Sequence, residues 1–143
     1  TLDLKNHGRQ HLTPKAYISM GNRVAQTVLY VLGKETYHRG PGVTNIKQID
    51  NRTIEIAIKH HGGSDFKPAV GITGWEVIAN GTSVPIAKVY RHDPQAIRIL
   101  LERPLDDKAQ IRYLYGAMPD ARNPVLDNSP LSLPLEEFQA DIN

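Results

Sequence analysis

The amino-acid sequence predicts a mainly β protein: an antiparallel β-sandwich of the jelly-roll kind, preceded by one N-terminal α-helix. Three observations carry this. Apolar residues recur at helical spacing from Tyr17 to Leu32, the hydrophobic period changes from 3.6 residues to 2 beyond Gly40, and turn signals then separate about seven or eight short strand-like runs. The 143 residues divide into 1–40, a helical block and linker, and 41–143, long enough for a modest sandwich core.

The helix starts abruptly after His11. Thr13 offers a capping hydroxyl, and Pro14 occupies the first helical position, where its missing N–H costs nothing. Tyr17, Met20, Gly21, Val24, Val28, Val31 and Leu32 then form one apolar stripe of roughly five turns, and Gly33 is a natural stop. Lys34 to Gly42 sets two glycines around a proline, the punctuation of a linker.

In the second block the Thr53–Lys59 run alternates cleanly, with Ile54, Ile56 and Ile58 on one face. Asp50-Asn51-Arg52 turns it back on a partner at Val43 to Ile49. Gly74 to Ala79 and Val84 to Tyr90 flank Asn80-Gly81, a pair that tolerates positive φ in a tight hairpin. Ala96 to Glu102 directs Ile97, Ile99 and Leu101 inward, and Gln110 to Tyr115 does so with Ile111, Tyr113 and Tyr115. The tail from Asn123 to Phe138, with Pro124, Pro130 and Pro134, is expected to run extended along the surface and pair at one edge.

Composition excludes several function classes. Lys plus Arg number 17 against 15 acids, a formal charge of +2 with the signs interspersed, so no basic stripe for nucleic acid exists. With no cysteine there is neither a disulfide framework nor a thiolate metal site. The longest apolar run, Thr27 to Gly33, is too short to span a bilayer. Thr1 opens the chain without an initiator methionine or signal peptide, which fits a piece of a longer polypeptide. The compartment stays open, secretion from a bacterium included.

The block His11-Leu12 … Tyr17 … Met20-Gly21 resembles the C-terminal end of SGNH-type carbohydrate esterases, in which a histidine followed by Leu opens the final helix. The resemblance implies that His11 is the general base of a hydrolase. That family carries an Asp three residues before the histidine, where this chain has Gly8, leaving a Ser–His pair oriented by some other acceptor. The family's Gly-Asp-Ser-type nucleophile motif does not occur in these residues.

The second block resembles the C-terminal β-domain of sialate O-acetylesterases through Gly74-Trp75-Glu76-Val77, Ile111-Arg112-Tyr113-Leu114-Tyr115-Gly116, Asn123-Pro124 and Leu133-Pro134-Leu135-Glu136-Glu137-Phe138. The detail is nearest the phage- or prophage-encoded bacterial enzymes that remove the 9-O-acetyl group from sialic acid. There, a lectin-like jelly roll follows the catalytic domain. The resemblance implies a carbohydrate partner, specifically sialylated glycans, a parent catalytic domain and no cofactor.

Sugar recognition needs flat aromatic faces, planar polar groups and, for sialic acids, a cation for the carboxylate. Trp75 is the aromatic candidate, although its parity with Val77 argues for the core, as does that of Tyr113 and Tyr115 with Ile111. Arg98 and Arg112 point away from the isoleucine face, and Arg91-His92-Asp93 crowns a loop; a solvated face and a simple turn are the competing readings. His7 and His11 have the spacing of two zinc ligands on a helix, but the helix begins only at Pro14 and no Glu follows His7, so no metal is assigned. His60-His61-Gly62-Gly63 reads as a flexible loop, and the Asn51 and Asn80 glycosylation-type triplets read as turns. The rival to glycan binding is a sandwich that only packs on its parent domain or mediates self-association.

Overall fold

The structure, a computed structural model, describes residues 3–7, 11–105 and 108–142. A two-residue ladder of β1 (Asn6–His7) and β2 (His11–Leu12) leads into α1 (Pro14–Val31). Thr13 caps α1 by accepting from the Ala16 N–H at 3.3 Å, and Gly33 (φ 69) follows its C-terminus. Both ends are where the residue types demand.

Two four-stranded antiparallel sheets follow. One has the order β3 (Gly42–Asp50), β4 (Thr53–Lys59), β9 (Ala96–Leu101), β8 (Ile86–Asp93); the other has β12 (Phe138–Asp141), β10 (Ala109–Tyr113), β6 (Trp75–Ala79), β7 (Thr82–Val84). A small pair, β5 (Phe66–Lys67) with β11 (Leu126–Asp127), lies outside both sheets. This is the antiparallel sandwich with one N-terminal helix that the periodicities imply. Its winding is of the immunoglobulin type: β3–β4, β6–β7 and β8–β9 are hairpins within a sheet, rather than the interleaved strands of a double Greek-key jelly roll.

The core is the space between the sheets. Ile54, Ile56, Ile97, Ile99 and Leu101 from one sheet meet Val77, Val84, Ile111 and Tyr113 from the other, all essentially inaccessible. Alternation explains this. Their strand neighbours Glu55, Arg98 and Arg112 point outward, so one face of each strand is apolar and the other is wet.

Four local expectations are corrected. Val84 to Tyr90 is not one strand: Pro85 lacks the N–H to continue a ladder, and the chain there passes from β7 to β8 in the other sheet. Tyr115 is not inward but 55 % exposed, because Leu114 adopts φ 47, ends β10 and reverses the alternation. The tail does not stay on the surface, since Val125, Leu133 and Leu135 are buried, and only its last residue, Phe138, enters the edge strand β12. Arg91-His92-Asp93 belongs to the end of β8, with a bulge between Arg91 and Asp93, and is not a loop.

The linker is also docked. Gly40 and Pro41 are buried, the Glu136 N–H donates to the Pro41 carbonyl at 3.1 Å, and a Cβ on Gly40 would collide with the Pro134 carbonyl. Gly62 is equally tight, its missing Cβ leaving room for the Tyr37 ring. The His60-His61 segment is held as well: the His60 ring stacks on Phe66 and its Nε2 lies 2.6 Å from the Pro94 carbonyl.

Tyr113 joins sheet to tail. Its ring packs against Trp75 and Phe138 at 4.5 and 6.2 Å, and its hydroxyl accepts from the buried Val125 N–H at 2.8 Å. Burial pushes the phenol above its usual range. Tyr113→Phe strips that N–H of its acceptor and should cost about 1–3 kcal/mol by denaturant unfolding, while Tyr115→Phe should be nearly neutral.

Candidate functional site

The β6–β10 ladder ends where Gly74 (φ 94) accepts from the Leu114 N–H at 2.8 Å. A Cβ on Gly74 would come within 2.6 Å of the Leu114 side chain, so this closure requires glycine. Beyond it the chain opens a cleft of about 410 Å³, lined among others by Trp75, Glu76, Arg112, Tyr115, Met118 and Asp120.

Two candidate residues meet here. Trp75 is half-buried, its ring tilted against Tyr113 and edge-on to Phe138, and its indole Nε1 is buried without a partner. Arg112, directly opposite Glu76 in the ladder, has its guanidinium 5.1 Å from the Tyr115 ring centre and its Nη1 3.8 Å from Glu76. Its Nε is buried and unpartnered too. The Trp75 ring lies on the Tyr113 side of the ladder and Arg112 on the opposite face, and each leaves one buried N–H without an acceptor, which is costly.

Acceptors and an apolar wall complete it. Glu76 is half-exposed, and Asp120 is held to about pKa 2 chiefly by its bidentate bond from Arg122, at 2.9 and 2.7 Å. Tyr115 and Met118, 55 % and 84 % exposed, form the rim. Sequence reasoning missed both as site residues: strand parity sent Tyr115 to the core, and no local signal marks Met118.

The other candidates lie elsewhere and are engaged. Arg91 grips Asp65 with two bonds of 2.7 Å, and Arg98 donates twice to Glu55 at 3.0 and 2.8 Å on the outer face of the other sheet. Their forks are occupied. His92 is exposed on β8, and none of the three lines the Trp75–Arg112 cleft.

His11 is exposed, on β2, two residues before the helix cap. No carboxylate among the described residues hydrogen-bonds its ring, and Gly8 lies outside the described residues. No group of three or more His, Asp or Glu suited to a metal occurs among the described residues. Among them, too, no helix is long and apolar enough to cross a membrane.

On α1 itself the only buried residue is Ala16. Tyr17, Val24, Val28, Val31 and Leu32, members of the predicted stripe, are all exposed, Val31 by 77 %. Helical geometry puts them on one side.

No protein-family model matches this chain, and no curated protein does. Solved structures do. A carbohydrate acetylesterase from Xanthomonas citri aligns over 97 % of this chain with a TM-score of 0.70 at 20 % identity. The N-terminal part of the bacterial S-layer protein SbsC aligns over 92 % with 0.54 at 14 %, and a longer piece of SbsC over 92 % with 0.56 at 12 %. At such identities the likeness is one of fold. This chain spans 31 % of the acetylesterase chain and 29 % and 17 % of the S-layer chains.

The titrations have a definite sign. Asp65 lies below its ordinary 3.8 mainly because Arg91 donates to it, and Asp120 is depressed by Arg122, so both pairs stabilise the fold above about pH 4 and lose that contribution as pH falls through the lowered values. His61 is depressed from 6.5, first by burial and then by Arg39, so its protonation also opposes folding. Denaturant unfolding from pH 8 to pH 3 should therefore show stability declining below about pH 6.5 and again below pH 4. His61→Asn should remove the first decline, and Arg91→Gln should shrink the second.

Proposed function

We propose that this chain is the C-terminal region of an SGNH-type carbohydrate O-acetylesterase, in which residues 1–40 complete the hydrolase and residues 41–143 form a carbohydrate-binding sandwich. The observation that carries the reading is the helix-plus-sandwich unit itself, whose fold recurs over 97 % of the chain within a carbohydrate acetylesterase. The uncovered stripe of α1 supports it. A row of exposed valines and tyrosine on a helix is costly in water and is what an interface with a hydrolase body would bury.

In the intact enzyme His11, exposed at the entrance of α1, would take the proton of a serine hydroxyl as it attacks the acetyl carbonyl. It would then return that proton to the departing sugar oxygen. The rigidity this needs comes from the capped helix start beneath it.

For the sandwich, the Trp75–Arg112 cleft is the site the geometry favours. The partly exposed Arg112 guanidinium would donate to acceptor groups, Glu76 and Asp120 would accept from hydroxyls, and Tyr115 would offer a sugar its face. Sialylated glycans fit best, because a sialate carboxylate matches the planar fork of Arg112, whereas Arg91 and Arg98 are engaged with carboxylates already. An interdomain sandwich without a ligand is the second reading, favoured by the exposed helix stripe.

Three outcomes are expected. This chain alone should not hydrolyse acetate esters, whereas in the enzyme that carries it His11→Ala should lower turnover by roughly 10³-fold or more. The chain should bind sialylated glycans weakly, less so as salt rises, and desialylated forms of the same core should bind less well. Arg112→Lys should not rescue the loss seen in Arg112→Ala, since lysine lacks the fork. Equal affinity for both glycans, or none for either, would leave the interdomain reading in its place.

A further inference from the structure

One side chain of α1 ties the segment that leads to His11 directly to the C-terminal tail. Arg23, in the middle of α1, donates from Nη1 to Asp3 Oδ1 at 2.9 Å and from Nη2 to Asp3 Oδ2 at 2.7 Å. The same Nη2 donates to the Ser132 carbonyl at 2.8 Å. The Arg23 and Asp3 side chains are only 15 % and 2 % exposed. Three segments distant in sequence thus meet at one guanidinium.

Each segment leads somewhere. Asp3 is followed by β1, which pairs with β2 so that His7 lies opposite His11, and Lys5 accepts from the Thr13 N–H at 3.0 Å. Arg23 itself belongs to the helix that Thr13 caps, immediately beyond His11 and Leu12. Ser132 stands at φ 46 in a tail turn folded onto β11 by the inaccessible carboxylate of Asp127, and β11 pairs with β5. That carboxylate accepts from Ser129 Oγ at 2.6 Å and from the Leu133 N–H at 2.8 Å. His11 therefore sits on a stem whose base is held by both ends of the clamp.

The choice of residue matters. Ala16 is the only buried residue of α1, so apolar packing cannot by itself fix how the helix lies on the sandwich. A buried, bidentate ion pair contributes little net stability against an apolar replacement, but it is directional, and a planar fork fixes angle as well as distance. We propose that Arg23 is a positioning residue: through Asp3 and Ser132 it locks the His11 hairpin, α1 and the sandwich into one rigid body, so that the sandwich buttresses the base of the esterase. This rests on the esterase reading for its consequence, not for its geometry.

The test has a part independent of catalysis. Arg23→Met keeps the stem and its helix preference and removes every donor. In this chain, amide exchange at Thr13, Ala16 and Tyr17 should accelerate about tenfold or more, while that of Ile97 and Ile99 in β9 stays as in the parent. Arg23→Lys, which keeps the charge and guards against a variant that fails to fold, should also accelerate the hairpin and helix amides, because one ammonium cannot replace three directed bonds. Unchanged exchange at those amides, or a uniform rise that includes β9, would overturn the clamp.

In the enzyme carrying this chain, Arg23→Met should lower kcat by about 10- to 100-fold with KM within about twofold, the pattern of a misplaced base rather than a damaged binding site. Unaltered kcat would overturn the positioning role even with the clamp intact. Should His11→Ala leave turnover whole, the base assignment fails, and the exchange result decides the clamp by itself.

Discussion

The contact on which this molecule turns is the one between the Tyr113 hydroxyl and the Val125 N–H. Tyr113 closes β10 and is wholly buried, so its hydroxyl needs a partner, and the tail backbone supplies it. That bond draws the Pro-rich tail inward, where Val125 and Leu135 fill the core and Ser132 comes to lie beside α1. The same ring carries Trp75 and Phe138, so the inner wall of the cleft is built on it.

Immediately after Tyr113 the backbone does something no pattern of apolar residues encodes. Leu114 takes a left-handed conformation, uncommon for a branched side chain, and is held there by its bond to Gly74 and by burial. The reversal puts Tyr115 on the surface beside Arg112, and a continuation of the core becomes the rim of a cleft.

Charge is organised differently on the two sheets. On the outer face of the β3-containing sheet, Arg98 and Lys47 both converge on Glu55, so each of these charges already has a partner. Arg112 and Glu76 stand 3.8 Å apart at closest, too far for a hydrogen bond, so this pair keeps capacity for a third party. The difference separates an arginine whose fork is filled from one whose fork is not. Residue type alone named three outward arginines, two of which carry bidentate carboxylate partners.

The sequence by itself determined the elements whose cause is local. Thr13-Pro14 and Gly33 bound the helix, Asn80 and Gly81 make a hairpin at φ 50 and 73, and the isoleucine alternation of β4 and β9 places the core face, because caps, turns and pleats depend on neighbours along the chain. Trp75 and Arg112 were legible as candidates by chemistry. Only the tertiary structure decided which arginines were free, since Asp65 and Glu55 lie 26 and 43 residues from Arg91 and Arg98. It alone turned Tyr115 outward, passed the chain between sheets at Pro85 and brought Asp3, Arg23 and Ser132 together. Such outcomes follow from which buried polar groups must find partners across the fold, and no stretch of sequence read in isolation contains both members of the pair.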